Sequence, residues 1–357
     1  MPDLPDPLNV LVIRDEPQAN RDRIAAVAPG RVRVTGLWHS LLPELGRDWP
    51  EDLIARFTRS EPKRVPTAEE AEEAIRSAHA VMMGVPFPRD GFERMADVRW
   101  VHWGFAGLSN VRGSSFWGAP VLTTSSRGYT GAQPIAESAL AGLLALARGV
   151  HTGAQQTVAR SFNPNAYNPI VVQGKTLGVI GLGGIGRALA RMAKGMGMRV
   201  VATRRSAAER QEDTQGVDVL YPAAQMLEML AECQLVAVCA MWTHETEGLV
   251  NAAAFDAMPQ GAFIANVARG EVIDEPAMIA ALESGKLGGA YLDVYTREFI
   301  VPPPKALLSH PHVVMSPHIS QKSDVNHLFG LDLFCANLRR LLDGEELENV
   351  VDWERGY

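Results

Sequence analysis

Gly181-Leu182-Gly183-Gly184-Ile185-Gly186 is the stretch whose reading decides the fold. Lys175-Thr176-Leu177-Gly178-Val179-Ile180 precedes it with the character of a buried strand, and Arg187-Ala188-Leu189-Ala190-Arg191-Met192-Ala193 continues it as a helix. A strand, a glycine turn and a helix in direct succession turn a bare G-x-G-x-x-G match into a dinucleotide-binding expectation. Gly181 permits the tight turn, Gly183 lets the backbone approach a pyrophosphate, and Gly186 lets the helix pack close on the strand. Gly184 and Ile185 open that helix, whose unpaired amides and partial positive charge suit phosphate. The bland alternative, a glycine-rich turn in any α/β protein, does not account for both flanks.

Working outward, residues 177–180, 199–203, 235–239, 262–266, 289–293 and 313–316 read as strands with helices between most of them, which is a complete Rossmann unit. Upstream, 8–13, 31–35, 78–83, 100–103 and 120–123 read as strands of a second α/β unit. Thr67 and Glu70 predict a capping box at the head of a helix over 68–77. Residues 36–66 read as irregular and 151–173 as a loose connection. The helix over 133–148 is so rich in alanine and leucine that it is either deeply buried or part of a subunit interface. A last long helix spans 323–342.

Bulk properties bound the class. A chain of 357 residues exceeds the usual ceiling for one core, so two domains are expected. The net charge of −7, with no long basic run, argues against nucleic acid or an anionic membrane as partner. Met1-Pro2-Asp3-Leu4-Pro5-Asp6 is unlike a secretory signal, and no apolar run approaches the ~20 residues of a membrane span. Cys233, Cys239 and Cys335 suggest neither a disulfide framework nor a metal site. A reduced, cytoplasmic, soluble protein without a metal is the expectation.

In open α/β sheets ligands bind beyond the carboxyl ends of the strands. Those ends carry Val267-Ala268-Arg269-Gly270, then Val294-Tyr295-Thr296-Arg297-Glu298, then Pro317-His318-Ile319-Ser320. An arginine, a carboxylate and a histidine therefore share the rim of the glycine turn. Hydride transfer to a 2-keto acid needs that set: a cation to clamp the carboxylate, a histidine to give a proton, and a carboxylate to favour the imidazolium. Taken singly, each reads more plainly as an ion-pair, solvated or structural residue; their joint placement carries the reading.

These residues resemble the D-isomer-specific 2-hydroxyacid dehydrogenase family. The matching motifs are Ala136-Glu137, Gly174-Lys175-Thr176-Leu177-Gly178 into the glycine turn, and Thr243-His244-Glu245-Thr246-Glu247-Gly248-Leu249. They continue in Asn266-Val267-Ala268-Arg269-Gly270-Glu271-Val272, Gly289-Ala290-Tyr291-Leu292-Asp293-Val294-Tyr295 and Ser316-Pro317-His318-Ile319. The likeness runs from Arg127 to Ser320; before that it rests on Phe105-Ala106-Gly107. It implies His318 as acid/base, Glu298 as its orienting partner and Arg269 as the anchor for the substrate's carboxylate and carbonyl. Asp293 would hold the nicotinamide carboxamide, and the amides of Ala106 and Gly107 would meet the substrate carboxylate. Further cofactor contacts are implied for Thr203, Ala240, Met241, Thr246, Val267, Ala268, His318 and Ser320. The resemblance also implies a discontinuous, flavodoxin-like substrate domain (1–126 and 319–357) beside a Rossmann domain (127–318), with the active site in the cleft between them. The helix over 133–148 would bridge a homodimer.

Three departures from the family pattern matter. The second Rossmann strand ends Val200-Val201-Ala202-Thr203 and continues Arg204-Arg205-Ser206, with no carboxylate for a ribose 2′-hydroxyl. Two guanidiniums there suit a 2′-phosphate, which predicts NADP(H) over NAD(H), with NAD possible; a pair of solvated arginines with mixed cofactor use is the plainer alternative. Met241-Trp242 stand where the family has Pro-Leu, and Trp242 either borders the nicotinamide pocket or fills the core. Phe299 replaces the proline after Glu298. The expectation is an NADP-preferring 2-keto acid reductase. A formate dehydrogenase relative fits less well, since it pairs its histidine with Gln where this chain has Glu298, and a phosphoglycerate dehydrogenase with an appended domain is not expected of a chain that runs only to Tyr357. A nucleotide-sensing corepressor of the same fold is the alternative from another class. Trp38, Trp103, Phe105 and Tyr129 are candidates to line a substrate pocket, or core.

Overall fold

Two largely parallel sheets explain the alternation of apolar runs and helical segments. The computed structural model describes the chain apart from residues 1–3, 59, 63, 129–130, 299, 325 and 355–357 and the side chains of 326–329. It divides into a unit of Met1–Thr130 with Asp324–Tyr357 and a unit of Gly131–Ser323.

The first unit begins β1 (Leu8–Ile13), α1 (Gln18–Ala25), β2 (Val32–Gly36), α2 (Trp38–Asp48), α3 (Glu51–Phe57), α4 (Ala68–Arg76), β3 (Ala80–Met83), β4 (Trp100–Trp103) and β5 (Leu122–Ser125). Its strands lie in the order β2-β1-β3-β4-β5, all parallel, which is the flavodoxin-like order. β3 and β4 are buried along their whole length, as strands covered on both faces must be. At α4 the capping box forms: Glu70 N–H donates to the Thr67 hydroxyl at 3.2 Å, and the Glu70 carboxylate accepts the Thr67 N–H at 2.9 Å. Much of the stretch read as irregular, 36–66, is instead helical, in α2 and α3. Trp38, Leu41 and Leu45 bury one face of α2 at i, i+3 and i+7, and this packing holds the helix despite Pro43 in its interior.

The second unit runs α5 (Ala132–Ala147), α6 (Val150–Val158), β6 (Thr176–Ile180), α7 (Gly184–Gly195), β7 (Arg199–Arg204), β8 (Gln211–Thr214), β9 (Val217–Pro222), α8 (Met226–Leu230) and β10 (Leu235–Val238). It continues with α9 (Ala252–Ala257), β11 (Ala262–Asn266), α10 (Glu275–Glu283), β12 (Leu287–Leu292), α11 (Lys305–Leu308) and β13 (Val313–Met315). The sheet order is β13-β12-β11-β10-β6-β7-β9-β8. Two of these strands correct the sequence reading. β9 is the third strand of the Rossmann order, and β8 pairs with it antiparallel at the edge. α6 likewise takes up the first part of the expected loose connection over 151–173; none of its residues is fully buried, so no apolar stripe announces it. α5 spends Ala136, Ala139, Gly142, Leu143, Leu146 and Ala147 inside its own unit, against α7 and the sheet.

The last helix, α12 (Asn326–Asp343), belongs to the first unit. Leu331, Phe334, Leu338 and Leu341 pack on β1, β3 and Trp100, with Phe334 stacked on the Trp100 indole at 4.8 Å. Among the described residues no helix is long and apolar enough to cross a membrane, and no three His, Cys, Asp or Glu side chains group so as to hold a metal ion.

Candidate active site

β6 delivers the chain to Gly181, whose φ of +98° is a conformation that side chains disfavour. A Cβ there would stand 2.8 Å from the backbone of Ala240, and one at Gly186 would run into the Gly181 carbonyl. The Gly181 and Leu182 amides donate to the Thr203 carbonyl at 3.2 and 3.0 Å, which ties the turn to the end of β7. At Gly183 the situation is opposite: a Cβ would meet nothing within 4 Å. α7 starts with no side-chain cap, and its first turn closes through Arg187 N–H to the Gly183 carbonyl at 3.0 Å. The amides of Gly184, Ile185 and Gly186 therefore have no intrahelical acceptor. Closed on one side, open at Gly183 and lined by donors, the turn fits a pyrophosphate.

Beyond β7 the side chains of Arg204 and Arg205 find Gln215 at 2.7 Å and Glu245 at 3.5 Å, while Ser206 is exposed. After β10, Thr246 shapes the loop by donating its hydroxyl to the Met241 carbonyl at 2.5 Å and accepting the Thr243 N–H at 2.7 Å. Trp242 packs half-buried against the hydrophobic core.

One buried amide builds the loop after β11. Asn266 accepts the Ala268 N–H at 3.0 Å and donates to the Arg269 carbonyl at 2.9 Å, fixing Val267, Ala268 and Arg269 in one turn. Burial pulls the Arg269 guanidinium below the usual arginine range, and the neighbouring charges of Glu298, Glu271 and Asp293 pull it back. Gly270 brings this loop against the next, since a Cβ there would occupy the Tyr295–Thr296 backbone.

Asp293, just past β12, is 1% exposed and clasps the loop after β13. Its carboxylate accepts the Ser316 hydroxyl at 2.6 Å, the Ile319 N–H at 2.9 Å and the Ser320 N–H at 3.0 Å; its carbonyl accepts the His318 N–H at 2.9 Å. These bonds hold His318 at a φ of +51°, uncommon for a residue with a side chain. His318 Nδ1 lies 2.7 Å from Glu298 Oε1, both side chains largely buried. The Glu298 loop is folded by the Tyr295 hydroxyl, which donates to the carbonyls of Glu298 and Val301 at 3.0 and 2.8 Å. Phe299 lies outside the described residues.

In the first unit, Ala106 and Gly107 follow β4, half-buried, and among the described residues their amides donate to no protein acceptor. Trp38 and Trp103 are not pocket walls: at 3% and 0% exposure they are core, Trp103 packing on Phe87 at 4.8 Å. Phe105 is half-buried, and Tyr129 lies outside the described residues.

Residues 140–320 match the model of the D-isomer specific 2-hydroxyacid dehydrogenase, NAD binding domain. The chain belongs to that dehydrogenase family. It is 31% identical to a glyoxylate reductase of Korarchaeum cryptofilum (strain OPF8) over 274 residues, 75% of this chain and 80% of that one. A glyoxylate reductase of Thermococcus kodakarensis is 32% identical over 194 residues, which are 54% of this chain and 56% of that one. Among solved structures, a D-isomer specific 2-hydroxyacid dehydrogenase from Xanthobacter autotrophicus Py2 in complex with NADPH and MES superposes with a TM-score of 0.74 at 25% identity, covering 98% of this chain and 100% of that one.

Family membership makes the chain an oxidoreductase of the 2-hydroxyacid dehydrogenase type with a domain for a nicotinamide dinucleotide. Several residues in this dehydrogenase escaped the sequence reading as contributors to the site. Asn266, Tyr291 and Ser316 lie inside matched motifs, yet they act through hydrogen bonds to loops that only the fold brings near. Gln215 has no sequence signal at all.

Proposed function

We propose that this dehydrogenase is an NADP(H)-preferring 2-keto acid reductase, interconverting a small 2-keto acid and the D-2-hydroxy acid. The observation that carries this reading is the 2.7 Å pairing of His318 Nδ1 with Glu298, in loops abutting Arg269, on the rim that also bears the glycine turn. Bound on Gly181, Gly183, Gly184, Ile185 and Gly186, the dinucleotide supplies or accepts the hydride. Arg269 grips the substrate carboxylate and polarises the keto oxygen, a forked cation being suited to that planar anion. In the first unit the Ala106 and Gly107 amides, which donate to no protein acceptor among the described residues, are offered to a substrate carboxylate. An ionised Glu298 can only accept, so it holds the Nδ1–H tautomer of His318 and leaves the proton transfer to Nε2. As charge develops on the keto oxygen His318 gives up that proton, and in the oxidative direction it takes one back. Asp293 uses three hydrogen bonds on the 316–320 loop, which leaves about one of its four lone-pair directions for a carboxamide. Ala240, Met241, Thr246, Val267, Ala268 and Ser320 line the remaining dinucleotide path.

Arg204 and Arg205 support NADP(H), because no carboxylate replaces them as partner for a 2′-hydroxyl and Arg204 bonds a neutral amide. The stretch 127–318 holds cofactor; 1–126 with 319–357 selects substrate. The exposed Val150, Val158, Phe162 and Val171, just beyond α5, support a homodimer formed through the helix over 133–148 and its continuation. A reducing cytoplasm is the proposed location, in keeping with Cys233, Cys239 and Cys335 as free thiols.

Glyoxylate, hydroxypyruvate and a branched 2-keto acid, each offered with NADPH and with NADH, test the reading through loss of the reduced nicotinamide absorbance. Keto-acid-dependent oxidation, faster with NADPH, is expected, and Arg204→Asp should cut the NADPH rate while raising the NADH rate. Unchanged cofactor ratios in that variant would remove the NADP(H) argument. Tight cofactor binding with no turnover on any keto acid would favour the corepressor reading, and formate-dependent reduction of NAD the formate dehydrogenase reading.

A further inference from the structure

Two guanidiniums converge on one neutral oxygen. Gln215 Oε1 accepts from Arg187 Nη2 at 2.8 Å and from Arg204 Nη1 at 2.7 Å. Arg187 stands on α7 one residue after the last glycine of the turn, and Arg204 ends β7. Gln215 comes from a third element, the two-residue turn joining β8 to β9. Among the described residues neither guanidinium has a carboxylate partner. An oxygen held between two cations beside a dinucleotide turn is the environment of a phosphate oxygen, here filled by an amide.

The backbone points the same way. Gln215 and Gly216 have φ of +52° and +82°, the mirror-image hairpin turn that favours Asn, Asp or Gly at its first position. Glutamine retains a disfavoured conformation at the one point where its side chain reaches both arginines. A residue kept against the preference of its turn is a candidate for a functional contact.

We infer that the point held by Gln215 Oε1 is where a 2′-phosphate oxygen of NADP(H) binds, so that Arg187 joins Arg204 as a phosphate ligand and Gln215 is the group the phosphate displaces. The inference rests on the NADP(H) reading and adds a discriminator to it. A dianion is a far stronger acceptor for two guanidiniums than a neutral amide and displaces it; a ribose hydroxyl is not, and leaves the arginines on Gln215. The two arginines thus favour NADP(H), and Gln215, which a phosphate must displace and a hydroxyl need not, moderates that preference.

Dissociation constants for NADPH, NADH, 2′-AMP and 5′-AMP, measured by calorimetry on the intact chain, test this apart from turnover. Arg187→Ala should weaken NADPH and 2′-AMP about tenfold or more, with NADH and 5′-AMP within about twofold. Gln215→Glu, which locks a competing carboxylate between the arginines, should do the same. Gln215→Asn, which keeps a side chain that tolerates the turn but is too short to bridge, should bind NADPH at least as tightly as the parent. A parent chain that prefers NADPH, with that preference intact in Arg187→Ala, overturns this inference alone. Equal loss of NADPH and NADH in Gln215→Glu, or weaker NADPH binding in Gln215→Asn, overturns it as well. A parent that binds NADPH and NADH equally overturns the NADP(H) reading and this inference together.

Discussion

His318 and His102 are both tucked among hydrogen-bond partners, and their neighbours set them to opposite tasks. His318 Nδ1 lies 2.7 Å from the carboxylate of Glu298, which orients the ring for proton transfer through its other nitrogen. His318→Ala should lower kcat by roughly two to four decades with NADPH affinity nearly intact, and normal turnover would refute the acid/base role. His102 on β4 is fully buried, with Nδ1 2.8 Å from the Thr124 hydroxyl and Nε2 3.0 Å from the Ser126 hydroxyl. Burial, with Arg14 nearby, pushes its pKa from 6.5 down to about 3. The unfolded chain therefore takes up a proton near pH 6.5 that the folded chain refuses until about pH 3. Its contribution to stability is intact above pH 6.5 and falls as pH drops from there toward 3, by about 1.4 kcal/mol per pH unit. Urea unfolding near pH 7 and near pH 5 should show the parent losing about 2 kcal/mol more than His102→Gln. Equal losses in the two proteins would show that His102 is not the titrating group. Sequence gave no warning of this residue, because a histidine inside an apolar strand carries no mark of its burial.

At the scale of elements, α5 and β12 meet at a point where no side chain fits. A Cβ on Gly142 would stand 2.1 Å from Cγ of the Tyr291 ring, and the Tyr291 hydroxyl shares hydrogen bonds with Ser138 at 2.6 Å and Ser316 at 2.9 Å. Ser316 in turn donates to Asp293, whose carbonyl fixes the His318 backbone, so this helix packing bears on the site through one hydrogen-bonded chain. Gly142→Ala should lower Tm by roughly 3–10 °C and reduce kcat more than it weakens NADPH binding; an unchanged Tm would show that the ring yields freely. What could be read from sequence divides along the same line. The central strands of both sheets and the glycine turn are written in apolar runs and backbone-driven spacing, and the rim residues follow because strand ends are where ligands bind. α2 was hidden because Pro43 interrupts a helical pattern that tertiary burial of Trp38, Leu41 and Leu45 sustains. β8 and α6 were hidden because edge strands and surface helices with nothing buried leave no periodic trace. Asn266 and Ser316 serve the site by bonding loops rather than by facing a ligand, a role no spacing encodes.

For the molecule as a whole, the proposed homodimer accounts for apolar surface that the subunit leaves uncovered. α5 turns its apolar residues inward, so it is not by itself a free interface. The uncovered side chains come immediately after it: Val150 and Val158 on α6 at 62% and 86% exposure, Phe162 at 98% and Val171 at 62%. α6 has no fully buried residue and is tied to its own subunit mainly through polar contacts such as Gln155 to the Pro311 carbonyl at 2.9 Å, and a nine-residue helix gains little stability without apolar packing. A second copy laid on this face would supply that packing, and a monomer would leave it as a liability. Sedimentation equilibrium should therefore give twice the chain mass for the parent, and Val158→Asp with Phe162→Asp should give the chain mass while circular dichroism shows the fold retained. Because binding of a second copy stabilises by mass action, the parent's Tm should rise with protein concentration and that of the double variant should not. A parent that sediments as a monomer at every concentration would leave the exposed valines and Phe162 to some other partner and remove the dimer from this account.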